Sequence, residues 1–279
     1  MPDPRVTAIS VAYNSAAVLP GLVASLPPGL PLTVVDNGPD DGLRDWAAAQ
    51  AVSVIVAPEN LGFGRACNLG AEPCSSEFLL FLNPDARLEP VALTMLLAAA
   101  QRHPTAVAFG PVMVNAAGAL RYKRNSYLLP RDPKPPRDPG SEDRAVSVLS
   151  GAVLLVRLAA FTRIGGFDPR IFLYFEDDDL SLRLRQFAGP LILVPSARVQ
   201  HAAGTSSAPS PALARFKGYH WARSRIYAGR KHDRRAAWLS GLWDGVSHFV
   251  SPKSWTDPVH RAEALGRITG ALSVLKRPL

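Results

Sequence analysis

The sequence predicts an α/β fold in which a mostly parallel central sheet is flanked by helices and followed by a helical C-terminal appendage. Short apolar, β-branched runs alternate with helical patterns through the first part of the chain, and such alternation is typical of parallel sheets covered by helices. From residue 211 onward the apolar periodicity is helical only. We therefore expect a sheet-containing domain over residues 1–210 and a helical region over residues 211–279.

The predicted elements are short and regularly ordered. Strands are expected at VTAISVAY (6–13), LTVVD (32–36), VSVIVA (52–57), FLLFL (78–82) and AVAFGPVMV (106–114). Helices are expected after an N-cap at Ser15, at about 43–51, after the glycines of ENLGFGRACNLGA, and at PVALTMLLAAAQRH (90–103). A charged, proline-rich segment at about 128–144 lacks periodicity, so it is a mobile loop or a linker. LILVP and ARVQH then predict two further short strands.

Composition indicates a globular protein with an uneven charge. Of its 279 residues 47% are hydrophobic and 19% charged, as in ordinary folded proteins. Much of the net charge of +8 comes from one segment with eight cations: Arg215, Lys217, Arg223, Arg225, Arg230, Lys231, Arg234 and Arg235. Such a run suits a polyanion, or it is simply a solvated helix face.

The cysteines and the N-terminus indicate the compartment. Cys67 and Cys74 lack metal-ligand spacing and form no disulfide framework, which favours a reducing environment. The first residues show no signal-peptide pattern, and no apolar run is long enough to span a bilayer. We expect a cytoplasmic protein that is able to touch a membrane surface.

One stretch, GGFDPRIFLYFEDDDLSLRLR, carries an unusual concentration of acids. Glu176, Asp177, Asp178 and Asp179 are consecutive and follow an apolar, aromatic run. Helical spacing predicts a helix from about Asp178, whose first-turn amides favour negative charge. A helix cap would need one acid or two. The excess indicates a carboxylate at the rim of an apolar wall, where its pKa can be set for proton abstraction.

Polar residues follow several predicted strands. Asn14, Asp36, Asn60 and Asp85 each lie just past a strand end, and His201 ends a later strand. Each alone is explained as a turn former, a cap or a structural histidine. Because the carboxyl ends of parallel strands meet at one edge of a sheet, four such loops together indicate a ligand site.

Familiar nucleotide motifs do not account for that site. GFGRACNLG contains Gly-x-Gly, but Cys67 takes the third glycine position and the motif follows the third strand, so a dinucleotide-binding turn is excluded. The chain also lacks a P-loop, a nucleophile elbow and His-Glu-x-x-His. What remains is an acid-and-amide edge with a separate acid cluster. That split is expected when a metal holds a diphosphate and another carboxylate acts as a base.

The ordered motifs AYN, VVDNG, ENLGFGRACNLG, FLNPD, Ser-Gly-Ala at 150–152, the acid stretch and VQH resemble the family 2 glycosyltransferases with the GT-A fold. The nearest similarity is to bacterial rhamnosyltransferase-like members that extend surface polysaccharides. The resemblance covers residues 5 to about 205 and excludes the helical tail.

The resemblance implies roles for individual residues. Asp177 matches the general base that deprotonates the acceptor hydroxyl, which gives inversion at the anomeric carbon. Asp85 and His201 would hold a divalent Mn or Mg ion. The nucleotide-sugar side would comprise Tyr13, Asn14, Asp36, Asn60, Phe63, Arg65, Asn68 and Asn83. Gly151 and Glu176 would lie on the acceptor or donor-sugar side. Asn83 stands where the family has the first aspartate of Asp-x-Asp, which would weaken metal binding.

These residues imply an inverting glycosyltransferase that moves a sugar, with rhamnose a candidate, from a dTDP or UDP donor to a glycan or lipid-linked acceptor in cell-surface polysaccharide synthesis. The alternative is a catalytically idle nucleotide-sugar or glycan-binding module, which would have no use for a positioned base. We expect no nucleic-acid partner, because few aromatics interleave with the basic segment and no recognised module is present.

The tail predicts amphipathic helices beside the basic segment. One stripe runs from Trp238 to Val250, and a second helix carries Leu265, Ile268, Leu272 and Leu275. One interpretation is that these apolar stripes pack onto the domain or onto a second copy in a homodimer. The other is that they make peripheral contact with an anionic membrane surface, on the inner face of the cell membrane.

Overall fold

The computed structural model describes residues 5–39, 41–50, 52–129, 134–201 and 210–276. Within these ranges ten strands form one sheet. The strands are β1 (Val6–Ala12), β2 (Leu32–Asp36), β3 (Ser53–Val56), β4 (Phe78–Leu82), β5 (Ala86–Leu88), β6 (Ala108–Val114), β7 (Leu120–Arg121), β8 (Arg144–Val146), β9 (Val153–Arg157) and β10 (Leu191–His201). The helices are α1 (Leu19–Ser25), α2 (Leu43–Ala49), α3 (Phe63–Ala71), α4 (Ala92–Arg102), α5 (Leu158–Arg163), α6 (Glu176–Phe187), α7 (Pro211–Lys231), α8 (Ala237–Phe249), α9 (Lys253–Thr256) and α10 (Pro258–Lys276).

The sheet is mixed, with one parallel half and one half that contains both antiparallel and parallel pairs. Its main order is β3-β2-β1-β4-β9-β6-β10-β5. The first four strands in that order are parallel to one another, as expected from the alternation of strands and helices. β9 runs antiparallel to both β4 and β6, and β5 runs antiparallel to β10. The mostly parallel arrangement therefore holds for the N-terminal half and not for the sheet as a whole.

The segments predicted as two strands near the end of the sheet form one strand. β10 is continuous over eleven residues, and its register against β6 shifts between Val194 and Arg198. Pro195 lies within that shift, and a proline has no N–H to donate to a ladder. The proline therefore produces an irregularity in the strand instead of a break.

Three helix starts differ from their predicted positions. α3 begins at Phe63 and contains Gly64 and Gly70, so it starts among the glycines and not after them. α1 begins at Leu19 with no side-chain cap, because the hydroxyl of Ser15 bonds to the backbone of Tyr13 instead. α6 begins at Glu176, two residues before the predicted start, so all four acids lie in its first turn. Tyr174 and Phe175, which precede it, both have φ of 66°, a strained conformation for aromatic residues that functional sites often retain.

The core lies on both faces of the sheet. On one face α1 and α4 cover alternate residues of the central strands, including Phe78, Leu80 and Phe109. On the other face α3 and α6 cover Leu79, Phe81 and Phe167. Strands that are buried on both faces have continuous apolar sequences. This explains why FLLFL could be predicted as a strand.

The tail helices pack through glycines, not through the predicted leucine stripe. A Cβ on Gly266 would overlap the backbone oxygen of Arg215 on α7, and one on Gly270 would overlap that of Tyr219. This close approach turns Leu272 and Leu275 outward, where both are exposed. In the described part of the chain no helix combines the length and the apolarity needed to cross a bilayer.

The predicted mobile loop is only partly within the described residues, since 130–133 lie outside them, as does the small-residue segment 202–209. The described flanks are held by hydrogen bonds. The hydroxyl of Tyr122 donates to the Pro136 carbonyl, and the guanidinium of Arg124 donates to the Pro135 carbonyl.

Candidate active site

The carboxyl ends of the parallel strands open into a cavity of about 370 Å³, in line with the position expected for a ligand site in an open α/β sheet. Six of the residues predicted to bind the nucleotide sugar or the metal line it: Tyr13, Asn60, Phe63, Asn83, Asp85 and His201. We refer to it as the donor cavity. Its size lies within the usual range for small-molecule sites.

Asp85 and His201 meet at the wall of the donor cavity. Asp85 follows β4, His201 ends β10, and the pairing of β10 with β5 brings His201 opposite Ala86. The Asp85 Oδ1 and His201 Nε2 atoms lie 3.2 Å apart, and the Asn83 amide lies 3.2 Å from the same nitrogen. A carboxylate oxygen and an imidazole nitrogen are a donor set that accepts Mn²⁺ or Mg²⁺.

The fit to a metal depends on ligands from a substrate. Among the described residues no group of three or more His, Cys, Asp and Glu side chains is arranged to hold a metal. Asp85 and His201 would supply two protein ligands, and diphosphate and water oxygens would have to complete the shell. The residues present fit a metal that binds together with its nucleotide.

Asn37 and Asn60 organise the loop that forms the cavity floor. The Asn37 amide donates to the Asn60 side chain and to the Gly62 carbonyl, and its oxygen accepts from Leu61 N–H. Gly62 has φ of 76°, and a Cβ there would overlap the Phe172 carbonyl oxygen. Local sequence patterns do not indicate this role, because the partners of Asn37 are more than twenty positions away.

Asp177, the predicted base, lines a cavity that shares Phe63 and Asn83 with the donor cavity. Its Oδ2 accepts from Gly151 N–H at 2.9 Å, and its Oδ1 accepts from the Lys123 ammonium at 2.8 Å. This cavity, of about 430 Å³, exposes Asp177 together with Gly151 and Glu176. Burial raises the pKa of Asp177, but the charge and hydrogen bonds of Lys123 outweigh burial and hold that pKa below its ordinary value. Asp177 is therefore ionised.

The neighbouring acids are less easily ionised. Burial and the charge of Asp177 raise the pKa of Glu176 to about 8 and raise the pKa of Asp178 as well. The Glu176 Oε2 and Asp178 Oδ1 atoms are buried without a hydrogen-bond partner. A buried carboxylate oxygen without a partner favours the neutral form, so Asp177 is the more readily ionised of the two aspartates that contact Lys123.

Asp179 has a structural role. It is fully buried and accepts from Arg183 on its own helix at 2.8 Å and from His232 at 2.8 Å, while the Lys231 ammonium lies 2.7 Å away. Lys231 also bonds Asp168, which accepts from the Tyr227 hydroxyl. This network fastens α6 to α7, so the acid helix and the tail are held as one unit.

The tail contributes to the donor cavity, which the sequence did not indicate. Leu213, Phe216 and Lys217, from the start of α7, line its wall. Phe172 packs against Phe216 and stacks on His220 with ring centroids 4.1 Å apart. Lys217 makes no ion pair within the described residues, so its charge is available to an anionic ligand.

Much of the basic segment is engaged within the protein. Arg223 donates to Ser273, and Arg225 lies over the rings of Tyr127 and Trp221. Lys231 bonds two aspartates. These contacts use several of the cations that composition alone would assign to a polyanion.

Four predicted nucleotide-binding residues do not line the donor cavity: Asn14, Asp36, Arg65 and Asn68. Asp36 is buried and pairs with Arg44 at 2.8 Å. Both ends of the Asn68 amide bond the backbone of Phe167, so Asn68 anchors the start of the acid stretch. Asn14 and Arg65 are exposed. Nucleotide contacts by these four residues stay predictions.

The site combines a cavity lined by Lys217, a carboxylate and an imidazole 3.2 Å apart in its wall, and an ionised carboxylate beside them. A base next to a bound diphosphate is what a glycosyltransferase that uses nucleotide sugars requires, and the fold and the site define that class. The sequence profile described as glycosyl transferase family 2 matches residues 7–165. The chain belongs to this family.

Known proteins are similar over most of the chain. An N-acetylglucosaminyl-diphospho-decaprenol L-rhamnosyltransferase of Mycobacterium tuberculosis is 32% identical, over 89% of this chain and 87% of the relative. The rhamnosyltransferase WbbL of Escherichia coli is 26% identical, over 62% of this chain and 75% of its own length. A mannosyltransferase from Pyrobaculum calidifontis, solved with GDP-Man and Mn²⁺, has the same GT-A fold, with a TM-score of 0.60, 16% identity, and coverage of 98% and 89% of the two chains.

Proposed function

We propose that this glycosyltransferase moves rhamnose from a nucleoside diphosphate donor, with dTDP or UDP as the nucleotide, to a hydroxyl of a lipid-linked glycan, with inversion at the anomeric carbon. The product would serve cell-surface polysaccharide synthesis. The observation that carries the proposal is the ionised Asp177, held by Gly151 and Lys123 beside the donor cavity. The sugar and the lipid are suggested by the rhamnosyltransferase that is similar over 89% of the chain.

The diphosphate of the donor would lie toward Asp85 and His201. The nucleobase of the donor would lie toward Tyr13 and Asn60. A divalent metal bound by Asp85 and His201 would neutralise charge on the departing diphosphate. Lys217 adds a fixed positive charge from the tail side of the cavity. Such preorganised charge favours the transition state because the negative charge grows as the sugar bond breaks.

Asp177 would perform the proton transfer. The acceptor hydroxyl oxygen forms a bond to the anomeric carbon, its proton passes to the Asp177 carboxylate, and the diphosphate leaves with the electron pair of the broken bond. The hydrogen bond from Gly151 N–H orients the carboxylate. Attack from the side opposite the leaving group inverts the anomeric configuration.

Nucleotide binding is expected to depend on metal and on Asp85. We expect Mn²⁺ or Mg²⁺ with dTDP or UDP, at about a hundred times the dissociation constant, to raise the melting temperature by about 5–10 °C, because the ligand binds only the folded state. Asp85→Ala should lose most of that shift. A thermal-shift screen of UDP, dTDP and GDP, with and without each metal, measures this.

The exposed Asp45→Ala variant is the control and should keep the full shift. A screen that stays flat with all three nucleotides would contradict the proposed activity and favour an idle binding module. Transfer itself is tested with dTDP-rhamnose and an N-acetylglucosaminyl diphosphate lipid, with the anomeric configuration of the product read by NMR.

We also propose that the tail rests on the cytoplasmic face of an anionic membrane. Trp243 and Trp255 are 71% and 82% exposed, and Leu239 and Val250 extend the Trp243 face of α8 at helical spacing. Lys253 and Arg261 are exposed nearby in the sequence, and cations add to binding on anionic lipid. In a homodimer, the alternative to membrane contact, the exposed Leu265, Leu272 and Leu275 of α10 would form the surface between the two copies.

Flotation with anionic liposomes at low salt tests the membrane contact. The wild type should float, and Trp243→Ser with Trp255→Ser should reduce the floating fraction several-fold. An unchanged fraction in the double variant, or a wild type that stays in the lower layer as a dimer, would contradict it.

A further inference from the structure

Lys123 is shared by the base and by two cavities. It follows β7, and its ammonium lies 2.8 Å from Asp177 Oδ1 and 3.0 Å from Asp178 Oδ2. Burial lowers the pKa of Lys123, but the charges of the two aspartates outweigh burial and raise that pKa above its ordinary value. The side chain is therefore a permanent cation held against the proposed base.

The ion pair between Lys123 and Asp177 opposes the proposed proton transfer to Asp177. A carboxylate that pairs with an ammonium is a weaker proton acceptor than one that is free of it. The Asp177 atom that Lys123 holds, Oδ1, also accepts from Asp178 N–H, so Oδ1 already has two donors, while Oδ2 accepts from Gly151 N–H. Asp177 becomes a stronger proton acceptor if its contact with Lys123 loosens when the acceptor binds.

Besides the cavity of about 430 Å³ that contains Asp177, Lys123 lines a further cleft, in which an anionic ligand could bind it. A cleft of about 810 Å³ lies on the side of Asp177 that β7 borders, and Asn115, Arg121, Tyr122, Lys123 and Ser150 line it. Arg121 is exposed and makes no ion pair within the described residues. Arg121 and Lys123 thus border a cleft that also contains Asp177. Two cations at the border of a cleft attract an anion.

On the basis of the proposed function, we propose that Lys123 exchanges its contact with Asp177 for a phosphate group of the acceptor, with Arg121 as the second cation of that acceptor subsite. The acceptor class is therefore a glycan that carries a phosphate or diphosphate group beside the reacting sugar. In the absence of that anion Lys123 remains on Asp177, which keeps the base from activating water against the donor.

The exchange leaves the transfer step balanced. The hydroxyl proton still passes to Asp177, the new bond joins the acceptor oxygen to the anomeric carbon, and the donor diphosphate leaves with its electron pair. Lys123 keeps its proton throughout and changes only its partner. It is a positioning residue for the base and a ligand of the acceptor.

Two acceptors with the same terminal sugar test the exchange. One carries a prenyl diphosphate and the other a neutral octyl group. We expect the wild type to favour the diphosphate acceptor in kcat/KM, and Lys123→Met to reduce that preference by about tenfold to a hundredfold, the usual range for a lost charged hydrogen bond. Lys123→Arg should retain part of the preference. Equal losses on both acceptors would mean that Lys123 only orients Asp177, and would overturn the proposal.

Binding of geranyl diphosphate, measured by calorimetry without donor, separates this proposal from the proposed function. Affinity should fall about tenfold in Lys123→Met and remain near that of wild type in Lys217→Met, whose side chain lies in the donor cavity. The reverse pattern would place the diphosphate in the donor cavity and overturn the proposal. If no acceptor receives rhamnose but binding still depends on Lys123, the proposed transfer fails while the anion site stands. Near-wild-type circular dichroism shows that each variant is folded.

Discussion

Asp177→Asn is expected to lower the turnover of sugar transfer by about 10²- to 10⁴-fold, the usual contribution of a positioned base, while nucleotide affinity stays the same. The amide can still accept from Gly151 N–H, so the geometry survives, but it cannot take a proton. Turnover with saturating donor, together with calorimetric titration of the nucleotide, measures both effects. Asp178→Asn is the matched control, because Asp178 also contacts Lys123 but does not bond Gly151.

The pH profile should agree with this assignment. Because Lys123 holds the pKa of Asp177 below its ordinary value in the free enzyme, the base stays ionised as pH falls. The kcat/KM, which reports the free enzyme, should be lost only as pH passes down through that lowered pKa. Unchanged turnover in Asp177→Asn, or an equal loss in Asp178→Asn, would assign the base elsewhere.

Asp179→Ala is expected to reduce the free energy of unfolding by about 3–5 kcal/mol, because removal of one partner strands buried charges. Asp179 is fully buried, and three cationic or titratable side chains converge on it: Arg183, Lys231 and His232. A loss of this size is a large part of the stability of an ordinary domain. Urea unfolding followed by fluorescence of the tail tryptophans measures it.

The exposed Asp45 of α2 provides the comparison, and its replacement by alanine should change stability by no more than about 0.5 kcal/mol. A loss below about 1 kcal/mol in Asp179→Ala would show that the network between α6 and α7 adds little beyond packing. The expected large loss would show that the network between α6 and α7 is a major contributor to stability.

Most strands of the N-terminal half could be predicted, because the sequence patterns that indicate them involve neighbouring residues only. All five strands predicted in that half are present as β1, β2, β3, β4 and β6, within two residues at each end. Their apolar runs and the turn residues after them depend only on neighbouring positions. Parallel pairing then brought Asn60, Asp85 and His201 to one edge, as the alternation implied.

Other parts of the site depend on contacts between distant positions. Lys123 follows a two-residue strand and shows no pattern that would link it to Asp177, 54 positions later. Lys217 was counted among the charges of a basic segment, yet it lines the donor cavity. Asn68, read as a nucleotide ligand, anchors Phe167.

The amino-acid sequence by itself determined the α/β class, the strands β1, β2, β3, β4 and β6, the strand-end acids and the candidate base, since periodicity and short motifs act over a few residues. Only the tertiary structure decided which acid of the four faces the cavity, which is buried against the tail, and which cation each one meets. The physical reason is that ionisation and ligand geometry depend on burial and on charges within a few ångströms, and the partners that provide them come from remote parts of the chain.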